Sequence, residues 1–293
     1  ADDPADDAFA EGRLREAFAL AGFPDVTFEL EPVGAAWHYA NELDHDELVL
    51  IGDFGGGTSD FTLVRVGPSA WAGGRDARRE VVLGIDGVGL AGDAFDARII
   101  RNAVASHLGR GTLHRNPFGE ALPLPGWVFV HLERWHQLSM LGGAAMLRRL
   151  KGMLREAEDP AAFGALVHLV EHNLGFALYD AVQAAKNELS RTDRTRLLFV
   201  DEDALCVDVP IRRAEFEEWI APELAEIDAA VMRLFERTGI APDAVDRVFL
   251  TGGSSFVPAV RRLFAERFGA DKLASGHELT SVARGLALSG LED

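Results

Sequence analysis

The chain has 293 residues, of which 48% are hydrophobic, and its formal net charge is -18 at pH 7. Nucleic acids and anionic membranes are bound by clustered Lys and Arg, so this acidic balance argues against both as partners. No run of about eighteen apolar residues occurs, and the N-terminal segment is acidic where a signal peptide would be basic. We therefore expect a cytoplasmic globular protein of one large or two medium domains.

Cysteine and histidine give little support for a metal site. The single cysteine, Cys206, lies in an alternating apolar segment, and we predict that it is a buried structural thiol. His168 and His172 are spaced like two ligands on one helix. No third ligand is spaced to match them, so we interpret both as ordinary histidines.

The first 47 residues predict a helix over 9–22, ended by Gly22, and an alternating strand over 26–30. A short helix rich in small residues is expected over 33–40. Glu31 follows the strand directly, which is a common position for functional acids. An exposed acid at the start of a helix would look the same.

Residues 48–64 predict a strand, a tight glycine turn and a second strand. Three glycines form the turn, and without Cβ atoms their N–H groups can approach a phosphate closely. Thr58 can add a hydroxyl. The glycines are Gly55, Gly56 and Gly57.

Two acids flank this turn, Asp53 before it and Asp60 after it. Their carboxylates would repel a bare phosphate, so they indicate a hard divalent cation between them and a nucleotide. A glycine-rich hairpin with solvated acids is the alternative. The two acids and Thr58 at these offsets favour the phosphate interpretation.

A third strand over 80–85 precedes a glycine-rich turn and a helix with Phe95 and Ile99 on its apolar face. Gly92 and Asp93 begin this helix, where N–H groups can contact a second phosphate. Alternatively, Asp93 simply caps the helix. The two interpretations stay open at this point.

The middle of the chain predicts an exposed connection over 110–125 and helices over 127–190, with a break at Pro160. A hairpin over 195–209 follows. An apolar stripe then runs along a helix over 213–238, with a kink at Pro222 and an end at Gly239.

Near the C-terminus, a strand over 246–250 leads through glycines and serines into another helix. Glycines admit a ligand against the backbone, and a helix N-terminus carries positive potential. The pattern lacks the lysine of a P-loop. A strand over 272–274 and a helix over 281–288 are expected to close the chain.

Three antiparallel strands, a helix, and then strand, helix, strand, helix is the order of a ribonuclease-H-like fold. Residues 53–60 resemble the second phosphate loop of the DnaK-type heat-shock ATPases, within the actin and hexokinase superfamily. Residues 252–258 resemble their adenosine motif. Residues 31–32, 91–96 and 186–190 resemble further segments of the same family in the same order.

Details of the sequence resemble the YegD-like branch of that family. Trp127 and Trp135 lie in the helical insertion, and a Gly-Gly-Ser-Ser-x-x-Pro turn follows later. Chaperones of the family hold adenine between two arginines, where this chain has Asn187 and Phe256. Gln183 and Asp93 stand at two positions where the family usually has Glu.

The resemblance implies an α/β fold: a ribonuclease-H-like (actin-like ATPase) lobe with a mostly helical inserted subdomain. Residues 1–47 would be a remnant of lobe one, and residues 91–214 the helical upper subdomain of lobe two. Residues 48–90 and 215–293 would form the core of lobe two. Compared with the family, we expect this chain to lack the first phosphate loop and the peptide-binding domain.

The function implied by the resemblance is binding of Mg²⁺ with ATP or ADP, with ATP hydrolysis only when the missing N-terminal lobe is present. The isolated chain is expected to be inactive as an ATPase, and clients or co-chaperones are not identified. The alternative is a non-enzymatic interaction module of actin-like fold. The implied catalytic residues are Glu31, Asp53, Thr58 and Asp60, with Asp53 and Asp60 also holding Mg²⁺. The implied nucleotide contacts are Gly55, Gly56, Gly57, Thr58, Gly92, Asp93, Lys186, Ser190, Gly252, Gly253, Ser254 and Phe256.

Overall fold

The structure is a computed structural model that describes residues 4–28, 34, 39, 43–69, 81–116, 118–134, 137, 140–201, 205–274 and 287. Its internal contacts divide the chain into two compact units. The first unit contains Ala1–Glu47, Val64–Val82 and Thr280–Asp293. The second unit, Leu48–Leu63 with Leu83–Leu279, contains the hairpin and the cavity of the candidate site, whereas Glu31 belongs to the first unit.

The first unit begins with the predicted helix, α1 (Pro4–Leu20), which ends before Gly22 at a positive φ of 95°. The predicted strand over 26–30 is wrong for residues 26–28, which have no strand structure. The carbonyl oxygen of Val26 accepts a hydrogen bond from the Arg15 guanidinium at 2.9 Å instead of from a neighbouring strand. The rest of that predicted strand, Glu31 and most of the helix over 33–40 lie outside the described residues.

In the described residues, the main sheet has five strands: β1 (Glu47–Phe54), β2 (Ser59–Val66), β3 (Val82–Val88), β8 (Arg247–Thr251) and β9 (Leu273–Ala274). Their order in the sheet is β3-β2-β1-β8-β9. β8 runs parallel to β1, and β9 runs parallel to β8. This order, with the helices around it, confirms the α/β ribonuclease-H-like fold.

β1 is the central strand because its residues are apolar on both faces. Val49, Leu50 and Ile51 are completely or almost completely buried, as expected for a strand with neighbours on both sides. Only Asp53, near the end of the strand, is half-buried. The parallel register with β8 pairs Asp53 with Thr251 and so brings two polar strand ends together.

β3 is longer than the sequence predicted. We expected a turn at Asp86, but the strand continues to Val88. The Asp86 carboxylate lies 3.0 Å from Arg233 and 3.3 Å from Arg237, which are both on a later helix. These two ion pairs stabilise the Asp86 carboxylate at a position where the sequence predicted the end of the strand.

A helical insertion follows the third strand. Its first helix, α2, continues as a π-helical segment (Ile100–Val104) and a 3-10 turn (Ala105–Leu108). The connection expected over 110–125 instead contains a small antiparallel sheet of two short strands. The helices are α2 (Gly92–Ile99), α3 (Gly126–Leu132), α4 (Ala144–Leu154), α5 (Pro160–Glu171) and α6 (Gly175–Leu189), and the strands are β4 (Leu113–Arg115) and β5 (Ala121–Pro123).

The predicted hairpin after the insertion is confirmed as β6 (Arg194–Asp201) and β7 (Leu205–Arg212). The prediction for Cys206 is wrong because the thiol is exposed. Leu205 and Val207 on either side of it are buried. Side chains alternate between the two faces of a strand, so Cys206 occupies the solvent face of this two-stranded ribbon.

The apolar stripe predicted over 213–238 lies on two consecutive helices. The expected kink is a break at Ile220 between two helices, and Gly239 ends the second one in the left-handed conformation. A 3-10 turn, Gly253–Phe256, then leads from β8 into the last helix. The helices are α7 (Arg213–Trp219), α8 (Ala221–Thr238) and α9 (Pro258–Phe268).

Within the described residues, no single helix is long and apolar enough to cross a membrane. Only α5 and α6 taken together meet that test of length and composition, and they bend by 109° at their junction. Most of the apolar side chains of both helices are buried within the protein.

Candidate functional site

The glycine hairpin between β1 and β2 closes with a hydrogen bond from the Gly55 N–H to the Thr58 carbonyl oxygen at 3.0 Å. The N–H groups of Gly56 and Gly57 donate to no group in the described part of the chain. Neither residue has a positive φ, so the glycines are not required by the backbone conformation. Their value is that the two peptide N–H groups at the tip are not shielded by side chains.

Helix α2 begins directly against this hairpin. Its first two amides donate to hairpin carbonyl oxygens, Gly92 N–H to Gly55 at 3.3 Å and Asp93 N–H to Gly56 at 2.7 Å. Both amides are thus engaged by the hairpin, and a phosphate contact at Gly92 and Asp93 stays a prediction. The alternative, a helix capped by Asp93, is wrong because the N-cap residue is Ala91 and no side-chain hydrogen bond caps it.

The ends of β1 and β8 are held together around Asp53. The Thr251 hydroxyl donates to Asp53 Oδ1 at 2.8 Å. Gly252 follows at a φ of 81°, and a Cβ there would lie 2.2 Å from the Phe54 carbonyl oxygen. Only glycine fits this close approach, which holds the Asp53 carboxylate beside the turn that begins at Gly252.

On the other strand, Thr58 and Asp60 are exposed and interact with each other. The Thr58 hydroxyl donates to Asp60 Oδ2 at 2.8 Å. A Cβ on Gly87 of β3 would lie 2.7 Å from Asp60 Oδ1, so this carboxylate packs against the backbone of β3. This hydrogen bond fixes the direction of the Thr58 hydroxyl toward Asp60.

Lys186 is buried beneath the start of α2. Its Nζ donates to the Gly92 carbonyl oxygen at 3.2 Å and lies 2.8 Å from Asp96 Oδ1, and Asp96 is only 1% exposed. Burial raises the pKa of the Asp96 carboxyl above its usual value, although the Lys186 ammonium opposes the rise. The negative charge of Asp93 adds to the rise.

The turn that begins at Gly252 packs against the start of α2, close to Lys186. A Cβ on Gly92 would lie 2.9 Å from the Ser254 hydroxyl oxygen and 3.2 Å from Lys186 Nζ. Ser254 is therefore packed against α2 and is only 3% exposed. Further along the turn, Phe256 is 39% exposed, while the Ser190 hydroxyl donates to the Lys186 carbonyl oxygen at 3.2 Å.

A cavity of about 650 Å³ opens beside the hairpin tip. Its walls come from the hairpin, the start of α2, the end of α5 and one face of α6. The lining residues are Gly56, Gly57, Asp93, Leu169, Val170, Asn173, Gly175, Phe176, Tyr179, Asp180 and Gln183.

Sequence reasoning found one side of this cavity and missed the other. The hairpin glycines and Asp93 were predicted as site residues, but the wall from α5 and α6 was not. Phe176, Asp180 and Gln183 are spaced by four and three residues, which places them on one helical face that pairs an exposed aromatic ring with polar groups. That spacing was the available signal.

His168 and His172 lie close together near the end of α5. Their rings are 4.2 Å apart, and His168 Nε2 lies 2.7 Å from Asp201 Oδ2. In the described parts of the chain, no group of three or more His, Cys, Asp or Glu residues is arranged to hold a metal ion.

The sheet order and the hairpin define an α/β lobe of the ribonuclease-H-like class. Residues 172–291 match the protein-family model described as Hsp70 protein. The chain is 25% identical to the chaperone protein DnaK of Thermus thermophilus, over 96% of this chain and 38% of the relative. The chaperone protein DnaK of a second strain of the same species has the same identity and coverage.

The chain thus spans 38% of the length of these curated relatives. The similarities cover nearly the whole chain, while the family model covers its C-terminal part. The chain is therefore similar in sequence to Hsp70-type proteins over part of their length, and its α/β fold is consistent with that similarity.

Proposed function

We propose that this lobe binds ATP or ADP with Mg²⁺ at the hairpin between β1 and β2. The observation that carries the proposal is the pair of peptide N–H groups at Gly56 and Gly57. Both residues line the cavity, and neither amide has a partner among the described residues. Peptide N–H groups without a protein partner are typical phosphate ligands. The Hsp70 match supports the same ligand class.

The phosphate end would be held by the hairpin. The amides of Gly56 and Gly57 bind phosphate oxygens, and the Thr58 hydroxyl is close enough along the chain to turn toward them from Asp60. Gly55 has a different role, because its N–H closes the turn and its carbonyl oxygen accepts from Gly92. Gly55 therefore sets the shape of the site.

The residues present fit a hydrated divalent cation. Asp53 uses one carboxylate oxygen to accept from Thr251, and Asp60 uses one to accept from Thr58. Within the described residues, the second oxygen of each carboxylate accepts no hydrogen bond, so both can bind metal-bound water. When bound, Mg²⁺ would neutralise phosphate charge that the two carboxylates otherwise repel.

Lys186 and Ser254 both contact the start of α2 at Gly92. The Lys186 ammonium faces Gly92 and Asp96 in the interior, and Ser254 packs against Gly92. We infer that these residues fix the start of α2 and thereby the hairpin to which it is bonded. Gly253, Ser190 and Phe256 remain the adenosine contacts that the resemblance implies.

Hydrolysis would require further groups opposite the hairpin. Catalysis of phosphoryl transfer depends on positioning and charge neutralisation around the whole γ-phosphate. In the described part of the chain, no Lys, Arg or His lines the cavity. We propose that ATP hydrolysis needs a second lobe, with Glu31 orienting the attacking water, and that clients or co-chaperones act on the complete ATPase.

Isothermal titration calorimetry with Mg-ADP and Mg-ATP tests the proposal. We expect a saturable heat with both nucleotides that disappears when EDTA removes the metal. No heat at millimolar nucleotide would contradict it and favour a non-enzymatic interaction module. Thermal melting with and without Mg-ADP gives a second measurement, because a ligand that binds only the folded state raises the melting temperature.

A further inference from the structure

Thr251 is a buried polar side chain at the end of an apolar strand. Val248 and Leu250, earlier in β8, are buried, and Thr251 itself is only 4% exposed. A buried hydroxyl is costly unless it forms a hydrogen bond. Thr251 meets this need by donating to Asp53 Oδ1 at 2.8 Å, so the folded protein keeps the hydroxyl and the carboxylate together.

A second contact confines the same carboxylate oxygen. A Cβ on Gly252 would lie 3.1 Å from Asp53 Oδ1, so the backbone of this glycine packs closely against it. Thr251 is β-branched, which restricts rotation about its χ1 angle and fixes the direction of its hydroxyl. Asp53 Oδ1 is therefore held by a rigid donor and by a backbone contact, and the side chain of Asp53 has little freedom to rotate.

The two acids beside the glycine hairpin differ in this respect. Asp53 is half-buried, and in the described residues its Oδ2 atom accepts no hydrogen bond. Asp60 also packs against a glycine, but Asp60 and its donor Thr58 are both exposed. Water can replace the donor of an exposed carboxylate at little net cost. Asp53 is thus the acid whose orientation is set before any ligand binds.

We propose that Thr251 is a positioning residue for the metal site: it holds one oxygen of Asp53 and leaves the other oriented to accept from metal-bound water. The inference rests on the proposed function, which assigns Asp53 to the hydrated cation. Thr251 acts through Asp53 and needs no contact with the nucleotide. A carboxylate that is already oriented loses less side-chain entropy when its ligand binds, which increases the affinity.

Calorimetric titration with Mg-ADP tests the role of the hydroxyl. Thr251→Val replaces the hydroxyl with a methyl group of similar size. We expect Mg-ADP affinity to fall by about tenfold, since hydrogen-bond partners of metal-binding groups typically contribute at least that much. Thr251→Ser keeps the donor and should recover most of the loss. Thr251→Ala removes the hydroxyl without placing a methyl group beside Asp53, and it should behave like Thr251→Val.

Thr62→Val is the matched control. Thr62 is 1% exposed in β2 of the same sheet, and its hydroxyl has no hydrogen-bond partner in the described residues. The same exchange of hydroxyl for methyl at this position should leave Mg-ADP affinity at the wild-type value. Thermal melting of every variant without nucleotide checks that each is folded at the temperature of the titration.

A double variant separates positioning from a structural effect. In the Asp53→Asn background, Thr251→Val should have little further effect on Mg-ADP affinity, because the group that it positions is already changed. Additive losses in the double variant would overturn the positioning role while leaving the nucleotide site intact. Equal affinities of Thr251→Val and Thr62→Val would overturn it as well. Wild-type protein that binds no Mg-ADP would instead overturn the proposed function, and the positioning role with it.

Discussion

The backbone N–H of Asp93 donates to the carbonyl oxygen of Gly56 at 2.7 Å. This bond ties the first turn of α2 to the tip of the glycine hairpin. The next contact is inside the protein, where the Gly92 carbonyl oxygen accepts from Lys186. The hairpin, α2 and α6 are therefore linked by consecutive hydrogen bonds. We expect a change in the position of the hairpin to affect the buried pair of Lys186 and Asp96.

Gly252→Ala should destabilise the protein by about 2–4 kcal/mol, because the residue has a positive φ and no space for a methyl group. The added Cβ would lie 2.2 Å from the Phe54 carbonyl oxygen. Gly253→Ala is the matched control, since a Cβ there meets nothing within 4 Å. Urea unfolding of both variants measures the difference, and equal stability would contradict the described turn.

Lys186→Met should destabilise the protein by about 3–5 kcal/mol at neutral pH, because it leaves the Asp96 carboxylate buried without its cation. The exposed pair of Lys151 with Glu171 provides the control, and Lys151→Met should cost less than about 1 kcal/mol. Chemical unfolding of both variants gives the comparison.

The penalty for Lys186→Met should shrink on acidification. Burial already raises the pKa of Asp96 above 3.8, and removal of Lys186 removes the main opposing effect. A raised folded-state pKa means that protonation favours the folded state, so this group contributes stability below 3.8 that is lost as the pH rises through the higher folded pKa. A penalty that stays constant from neutral to acidic pH would show that Asp96 is not the cause.

Asp53→Asn should weaken Mg-nucleotide binding by about tenfold or more, because a neutral amide holds metal-bound water less strongly than a carboxylate does. The fold should persist, since an amide oxygen can still accept from Thr251. Asp25→Asn, at an exposed position in the first unit, is the control. Calorimetry measures both affinities, and an unchanged affinity for Asp53→Asn would remove this carboxylate from the site.

The purified chain should hydrolyse ATP no faster than a control without protein. A γ-phosphate contacted from the hairpin side only is exposed to water, so preorganised donors lose much of their effect. A coupled assay for phosphate release measures the rate. Steady release that disappears in Thr58→Ala would show instead that the chain is catalytically complete.

The main strands and the hairpin could be predicted because local sequence determines them. An unbroken apolar run from Leu48 to Ile51 marks a central strand, and three consecutive glycines mark the turn. Gly239 marks a helix end for the same kind of local reason. The order of these elements was enough to predict the sheet.

Other features depend on contacts between distant residues. The amides of Gly92 and Asp93 looked available for a ligand, but hairpin carbonyl oxygens satisfy them. Cys206 was expected to be buried because its neighbours are apolar, yet the face on which it lies is decided by packing of the ribbon. The two strands β4 and β5 are only three residues long each, and apolar and polar residues do not clearly alternate in them.

The cavity was the least predictable part of the site. Its two walls are separated by more than a hundred residues along the chain, from Gly56 to Phe176. Each wall has a local signal, glycines in one and an exposed aromatic ring in the other. Only the fold shows that the two signals face the same space.

The most direct test of the central claim is a titration with Mg-ADP followed by amide NMR of ¹⁵N-labelled protein. We predict that the Gly56 and Gly57 amide resonances shift progressively and saturate, because these N–H groups would acquire phosphate partners. The Gly111 amide, outside the cavity, should stay in place. Saturable binding detected elsewhere in the spectrum, with the Gly56 and Gly57 resonances unmoved, would contradict the account.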